Sequence, residues 1–503
     1  MGSLPAEEVA PDPAPEPSAP QGDLRRRVAR GTLINAVFNI GLQLLGFMKG
    51  FIVAGFLTAS EYGLWGLLVI SLGTLLWLAQ LGIDDKYVQQ DHPDQEKAFQ
   101  LAFTLQCMLA GVFMVILAVG VPLFALAYDK PEIIAPGLVL TLAMPTAALD
   151  TPLWVYYRKM DFLKQRRLAL WDPIVAFFVT IVLAVMGAGY WALVLGTLLG
   201  AWAGAIAAVR ASPYPLRLYY EKGTLKEYAT FSWPILIQNA SGVLVAQVPV
   251  LFVQRHIGTA AVGAITLAGT ISLYANRVDS IVTQALYPAI ARVKEKPALL
   301  FEAFTKSNRL ALMWGVPCGV GIALFADDIV HYLLGDKWAF AIPVIQIMAL
   351  ASGFNQFGFN WAAFYKARNN TRPIAAAGVT MLIAVLVFAV PLTYRDGVRG
   401  YAMGMALATA VLILMRCYWL AKLFPTFALF SHAARAMWPT VPAVAAVLLI
   451  RYAESGPRSA AQAALEAAVF VIVLAIGVFF AERNLMREVI GYLRGGAVSR
   501  SAA

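Results

Sequence analysis

Residues 99–127 read FQLAFTLQCMLAGVFMVILAVGVPLFALA, a run without one charged side chain. A helix crosses the hydrocarbon core of a bilayer with roughly 20 apolar residues, and this run exceeds that. Similar runs recur from residue 32 to near the C-terminus. They predict fourteen spans at about 32–57, 63–83, 99–127, 135–157, 172–188, 190–209, 231–254, 262–287, 308–330, 341–364, 374–393, 400–421, 437–451 and 463–481. Fourteen spans need about 280 residues, which a 503-residue chain that is 60% hydrophobic supplies. Charged residues make up 14%, against roughly 25% in soluble proteins. The expected fold is an all-α polytopic membrane protein.

The net charge of +10 would suggest nucleic acid in a soluble chain. Here the positive-inside rule explains it. With the N-terminus inside, 29 of the 39 Lys and Arg fall on the inner side and seven on the outer, while Lys49, Arg277 and Arg416 lie within spans. That split predicts both termini in the cytoplasm and gives no role to nucleic acid. Residues 1–30, rich in Pro, Ala and acid with no apolar core, read as a disordered cytoplasmic tail and not a signal peptide. Cys107, Cys318 and Cys417 sit in apolar segments as small hydrophobes. The four histidines are scattered, so no metal site and no cofactor motif is expected. Trp154, Tyr156 and Tyr157, and Tyr418 with Trp419, cluster at span ends as an interfacial belt.

The two halves echo each other. Leu57–Gly63 (LTASEYG) leads into the second span and Ile257–Gly263 (IGTAAVG) into the eighth, 200 residues on. Asp129-Lys130 and Asp336-Lys337, and Pro136 and Pro343, are offset by 207; Gly189-Tyr190 and Gly400-Tyr401 are offset by 211. Six spans separate the copies, so the halves share one orientation, an arrangement found in transporters. The expected organisation is an N-terminal lobe over 31–210, a cytoplasmic linker over 211–230, a C-terminal lobe over 231–423, two additional spans over 437–482 and a cytoplasmic tail over 483–503.

Charges at bilayer depth cost roughly 2.5–3.5 kcal/mol on insertion scales and usually face a cavity or a partner. In the first span Asn35, Asn39, Gln43 and Lys49 share a face about 120° wide at 100° per residue. This face lines a cavity, or bonds a neighbouring helix. In the eighth span Ser272, Asn276, Arg277, Asp279, Ser280, Thr283 and Gln284 fall within about 160°. Arg277 and Asp279 do not face each other. They form a structural pair across helices, for instance Lys49 with Asp279, or Arg277 presents its planar fork to an anionic group. The seventh span adds Gln238 and Asn239 after Pro234. Asp150, between Pro145 and Pro152, is a candidate for a coupling proton or cation. Asp327 and Asp328 read as an unremarkable span end.

The stretch RGTLINAVFNIGLQLLGFMKGFIVAGFLTASEYGLWGLLVISLG (30–73), with HIGTAAVGAITLAGTISLY (256–274) and YLLGDKW (332–338), resembles polysaccharide-export proteins of the Wzx type. Their superfamily also holds multidrug (MATE) exporters and the lipid II flippase. The resemblance covers residues 30–482. It implies two six-helix lobes around a central cavity that opens alternately to each side. It also implies flipping of undecaprenyl-pyrophosphate-linked oligosaccharide across the inner membrane for exopolysaccharide or lipopolysaccharide synthesis. The partners implied are the polyprenyl-pyrophosphate-linked glycan, the bilayer, and the polymerase and glycosyltransferases of the same pathway. The last two spans would be the extra pair seen in many flippases, which in the lipid II relative helps form a groove for the lipid tail. A MATE-like drug exporter and a lipid II flippase remain alternatives. A membrane glycosyltransferase would need a catalytic loop or a DxD motif, and direct ATP hydrolysis a P-loop; none of these occurs.

Overall fold

The computed structural model describes residues 38, 41–42, 44–78, 83–89, 92–159, 161–221, 243, 246–276, 297–367, 372–424, 429–453, 458–483, 485 and 487. Among them there are helices and turns and no strand. Among the described residues nine helical stretches are long and apolar enough to cross a membrane, and a tenth if the bent pair Ala298–Leu324 and Ala326–Leu334, at 59°, is one crossing. The inner parts of the expected first, seventh and eighth spans lie outside the described residues.

The principal helices are α1 (Leu44–Phe56), α2 (Ala59–Leu78), α3 (Gln95–Tyr128), α4 (Ile134–Thr141), α5 (Met144–Leu149), α6 (Pro152–Arg158), α7 (Trp171–Val185) and α8 (Trp191–Arg210). They continue with α9 (Thr259–Ser272), α10 (Pro297–Leu324), α11 (Ile342–Phe354), α12 (Trp361–Ala367), α13 (Arg372–Ala384), α14 (Val390–Leu423), α15 (Leu429–Met437), α16 (Thr440–Ala453) and α17 (Ala460–Ala481). The expected run 99–127 is the middle of α3. Asp94 caps that helix by accepting from the Lys97 N–H at 3.1 Å, and Asp129 ends it in the left-handed conformation at φ 55°.

Two expected spans are broken inside the bundle. The fourth is three short helices, α4 to α6, with turns at Leu142-Ala143 and Asp150-Thr151. The tenth stops at Phe354, passes through a turn at Asn355–Asn360 with Gly358 at φ +63°, and resumes at Trp361. Irregular backbone at membrane depth persists only where its carbonyls find donors or line a cavity. Here the donors are present. Arg416 Nη1 donates to the Asn355 carbonyl at 2.8 Å, and Asn308 Nδ2 donates to the Gln356 carbonyl at 2.9 Å. Within α14 the chain bends at Asp396-Gly397, which leave helical geometry, so α14 holds the end of one expected span and all of the next.

Close approach of backbones sets the packing, because small residues replace the missing hydrophobic drive between helices in lipid. Gly196, Gly200 and Gly204 form a stripe on α8 against α7. A Cβ on them would lie 2.0 Å from Thr180 Oγ1, 2.7 Å from Ala176 Cβ and 3.0 Å from Asp172 Cβ. The contact of α2 with α9 is reciprocal. A Cβ on Gly63 would lie 2.0 Å from the Thr259 carbonyl oxygen, and one on Gly263 2.1 Å from that of Ala59. Each position is 200 residues from its counterpart.

Cations from the second half cap helix ends in the first half around that seam, the end the charge pattern assigns to the outside. Arg255 donates to the carbonyls of Ala127 and Leu126, in the last turn of α3, at 2.6 and 3.0 Å. Lys337 Nζ donates to Gly55 O at 2.7 Å and Trp338 Nε1 to Ala54 O at 3.1 Å, in the last turn of α1. Helix C-termini expose unpaired carbonyls and partial negative charge, so these donors suit them. The fully buried Trp338 ring also meets Tyr62 edge-on at 5.6 Å.

The last two helices, α16 and α17, are pinned to α10 and its extension. Arg451 and Arg458 share Glu466 and Asp328: Arg451 Nε and Arg458 Nη2 each lie 2.8 Å from Glu466 Oε2, and Arg458 Nη1 lies 2.9 Å from Asp328 Oδ1. Glu466 is fully buried. At the other end of α17, Arg309 pairs with the buried Glu482.

Candidate functional site

Of the residues singled out in the sequence, Lys49, Asp150 and Asn276 are described. Asn35, Asn39, Gln43, Gln238, Asn239, Arg277 and Asp279 lie outside the described residues. α1, with Lys49 of the first expected face, packs against α9 and the turn after it, with Ser272 and Asn276 of the second. Phe47 meets Tyr274 edge-on at 4.6 Å, and Gly50 lies against Thr270.

Lys49 and Asp150 each act electrostatically on a third residue, Asp172. The Lys49 ammonium lies within electrostatic reach of the Asp172 carboxylate, and so does Asp150. Three elements position the cluster. α1 presents Lys49. The turn between α5 and α6, where the chain leaves helical bonding, presents Asp150. α7 presents Asp172, whose Oδ1 would sit 2.7 Å from a Cβ on Gly200, so the glycine stripe of α8 makes room for the carboxylate. Asp172 is thus the shared member: it attracts the Lys49 ammonium and repels the Asp150 carboxylate.

Asp172 escaped the sequence reading because the fifth span was begun at residue 172, which set it at the interface. The helical stretch starts earlier, at Phe162, and runs to Val185. Asp172 stands in the first turn of α7, after a short helix over Phe162–Ala169 that belongs to the same stretch. The run of Lys164, Arg166 and Arg167 hid that start, since cations at a span's inner end look like loop. Asn308 and Arg309 were missed likewise: the ninth span begins by Pro297, ahead of the expected 308.

Asn276 belongs to a second, neutral cluster in the other half. Its Oδ1 accepts from Gln356 Nε2 at 2.7 Å, in the broken tenth span. Gln356 Oε1 and Ser272 Oγ are buried with no hydrogen-bond partner among the described residues. Nearer the outer seam, Gln247 Nε2 donates to Thr74 Oγ1 at 2.6 Å and Ile70 O at 3.1 Å, and its Oε1 accepts from Tyr128. Among the described residues no group of three or more His, Cys, Asp or Glu is placed to hold a metal ion.

The second half also holds a cavity of about 560 Å³ between α11 and α14. Ile347, Leu350, Phe354, Ala410, Ile413 and Leu414 line it. Thr409 also borders it, but its hydroxyl is turned back onto the Met405 carbonyl at 2.9 Å.

Residues 52–343 match the protein family described as polysaccharide biosynthesis protein. An uncharacterized membrane protein in the cps region of Klebsiella pneumoniae is 20% identical over 411 residues, covering 79% of this chain and 83% of that protein. The succinoglycan biosynthesis transport protein ExoT of Rhizobium meliloti (strain 1021) is 22% identical over 333 residues, covering 65% of this chain and 67% of its own. In fold, the chain is similar to the lipid II flippase MurJ in an inward closed conformation, with a TM-score of 0.70 at 11% identity over 90% of this chain and 99% of that one.

Proposed function

This chain belongs to the polysaccharide biosynthesis protein family, of Wzx type, and from that premise we propose that it is a flippase. Its cargo is a polyprenyl-pyrophosphate-linked oligosaccharide, moved from the cytoplasmic to the outer leaflet of the bacterial inner membrane. It works by alternating access between two six-helix lobes, 31–210 and 231–423, with 437–482 as an additional pair of spans in a fourteen-span chain whose ends are both cytoplasmic. Polymerase and glycosyltransferases of the pathway are its partners, and it is not an enzyme. The transport protein ExoT among the relatives and the MurJ-like fold support this reading.

The observation that carries it is that Asp172 lies within electrostatic range of both Lys49 and Asp150, in a molecule whose α2–α9 seam is closed. An anionic pyrophosphate entering from the cytoplasm meets Lys49 and takes it from Asp172. Displaced, Asp172 faces Asp150, and two carboxylates in a poorly hydrated space favour uptake of one proton or cation between them. Cargo binding and coupling-ion binding are thereby linked in one cluster. Arg277, Asp279, Asn35, Asn39, Gln43, Gln238, Asn239 and Asn276 complete the polar surface that hydrogen-bonds the glycan.

Complementation of a strain lacking the gene tests this. Lys49→Ala and Arg277→Ala each abolish surface glycan at normal membrane levels of protein. Asp172→Asn leaves binding of the pyrophosphate intact and impairs turnover. Wild-type glycan from both Lys49→Ala and Arg277→Ala would refute the role assigned to these cations. One observation favours a second reading, a MATE-like exporter of cations, namely that Asp150 and Asp172 lie within electrostatic range of each other. That reading predicts cation binding lost in Asp150→Asn and unaffected by polyprenyl pyrophosphate.

A further inference from the structure

The 207-residue offset that relates Pro136 to Pro343 carries Asp150 to Phe357. The two positions differ in chemistry. Asp150 belongs to an ionic cluster, whereas Phe357 lines the 560 Å³ cavity between α11 and α14. That cavity is apolar throughout, since Thr409 spends its hydroxyl on the Met405 carbonyl and presents its methyl group. Leu350, Phe354 and Leu414 on its rim are 37%, 40% and 69% exposed, so the space opens sideways to whatever surrounds the helices. Soluble proteins seldom leave such a space unfilled. In a bilayer its natural occupant is a hydrocarbon chain.

One end of the cavity carries a positive charge. Arg416 adjoins the lining residue Cys417, and its guanidinium is held on the carbonyls of Asn355 and Phe357 in the broken tenth span. Those carbonyls exist as acceptors only because the helix is interrupted, so the interruption fixes a permanent cation beside the cavity mouth. Trp361, Tyr365 and Trp419 follow on the same side, with Tyr365 Oη donating to the Trp419 carbonyl at 2.7 Å. Trp361 and Tyr365 are buried there among Leu300, Phe304 and Phe364. An apolar slot with an arginine beside one end is complementary to a lipid with a long tail and a phosphate.

We propose that the cavity between α11 and α14 holds the isoprenoid tail of the cargo, with Arg416 near its phosphate end. This rests on the flippase reading and assigns the two parts of an amphiphilic cargo to opposite halves of the molecule: the charged head to the Lys49 cluster, the tail to the second half. It places the tail apart from the α16–α17 pair, whose inner surfaces are committed to α10 through Glu466 and Glu482.

The test uses the full chain in nanodiscs of phosphatidylethanolamine and phosphatidylglycerol. The probe is a long-chain polyprenyl monophosphate with a diazirine on its terminal isoprene unit. Photo-adducts are expected in α11, α12 and α14. Excess unlabelled polyprenyl phosphate should compete, and excess phosphatidylglycerol should not. Ala410→Phe should lower labelling roughly tenfold, the effect of displacing about two carbons of tail from burial. Ala406→Leu, a gentler filling, should give an intermediate loss, which guards against misfolding of the larger variant. Adducts confined to α16 and α17, or equal competition by phosphatidylglycerol (a bilayer acyl chain only), would overturn the proposal. In either case, transport of glycolipid that still depends on Lys49 would leave the flippase reading standing. Failure of both labelling and transport would remove the two together.

Discussion

Gly63→Ala should prop open the outer seam. A Cβ at this position would stand 2.0 Å from the Thr259 carbonyl oxygen and 2.9 Å from its carbon. Carbon–oxygen contacts between helices normally settle near 3.3–3.6 Å, so α2 and α9 must part by more than about 1 Å. The obstacle is backbone, which has no rotamer to change. Overpacking of this kind costs about 1–3 kcal/mol, which corresponds to roughly a 5- to 150-fold shift between two states. Only the state with the seam shut bears that cost. The assay is a spin-label distance between Ser60→Cys and Ala260→Cys, both exposed, on a background lacking Cys107, Cys318 and Cys417. The wild type should show one short distance. Gly63→Ala should add a longer one, and the double variant with Gly263→Ala should make it dominant. A distance distribution unchanged by the double variant would refute the argument that this backbone contact holds the outer side shut.

Three further outcomes are expected. Lys337→Ala with Arg255→Ala should raise labelling of the outer seam by an impermeant thiol reagent more than either change alone, each contributing up to about 1 kcal/mol at an exposed site. Glu466→Gln leaves Arg451 and Arg458 under-compensated beside a buried position, so it should lower stability in detergent by about 3 kcal/mol, read by thermal unfolding, with little effect on residues of α7 and α8. The Asp94 carboxylate is held below its ordinary range by the Lys97 backbone N–H and then by the Lys97 side chain. Its cap is therefore complete above the ordinary aspartate pKa of about 4 and lost as pH falls through the depressed value. Hydrogen exchange in the first turn of α3 should show that dependence in the wild type and lose it in Asp94→Ala.

The apolar runs made most of the fold legible. α3, α8 and α17 fall where continuous hydrophobicity places them, because a span needs little beyond length and the absence of charge. The breaks in the fourth and tenth spans were not legible. Asn355–Asn360 is stabilised by Arg416, some sixty residues away, and a hydropathy reading treats that segment as more helix. The candidate site was half legible. Lys49 and Asp150 stand out as charges within apolar runs. Asp172 does not, because a helix that starts ten residues early looks like a basic loop followed by a span. Asp328 was read as a span end, yet its partners Arg451 and Arg458 arrive from a part of the chain more than 120 residues later, and only the fold brings them together.

The central claim is that an anionic glycolipid crosses through the Lys49 cluster. Reconstituting the purified chain in liposomes with a fluorescent polyprenyl-pyrophosphate oligosaccharide, and following its exposure to an external glycosidase, tests that claim most directly. The account predicts protein-dependent loss of the protected half of the glycolipid, abolished by Lys49→Ala. Protection that persists in liposomes containing the wild-type chain, while a lipophilic organic cation is exported from the same liposomes, would contradict it.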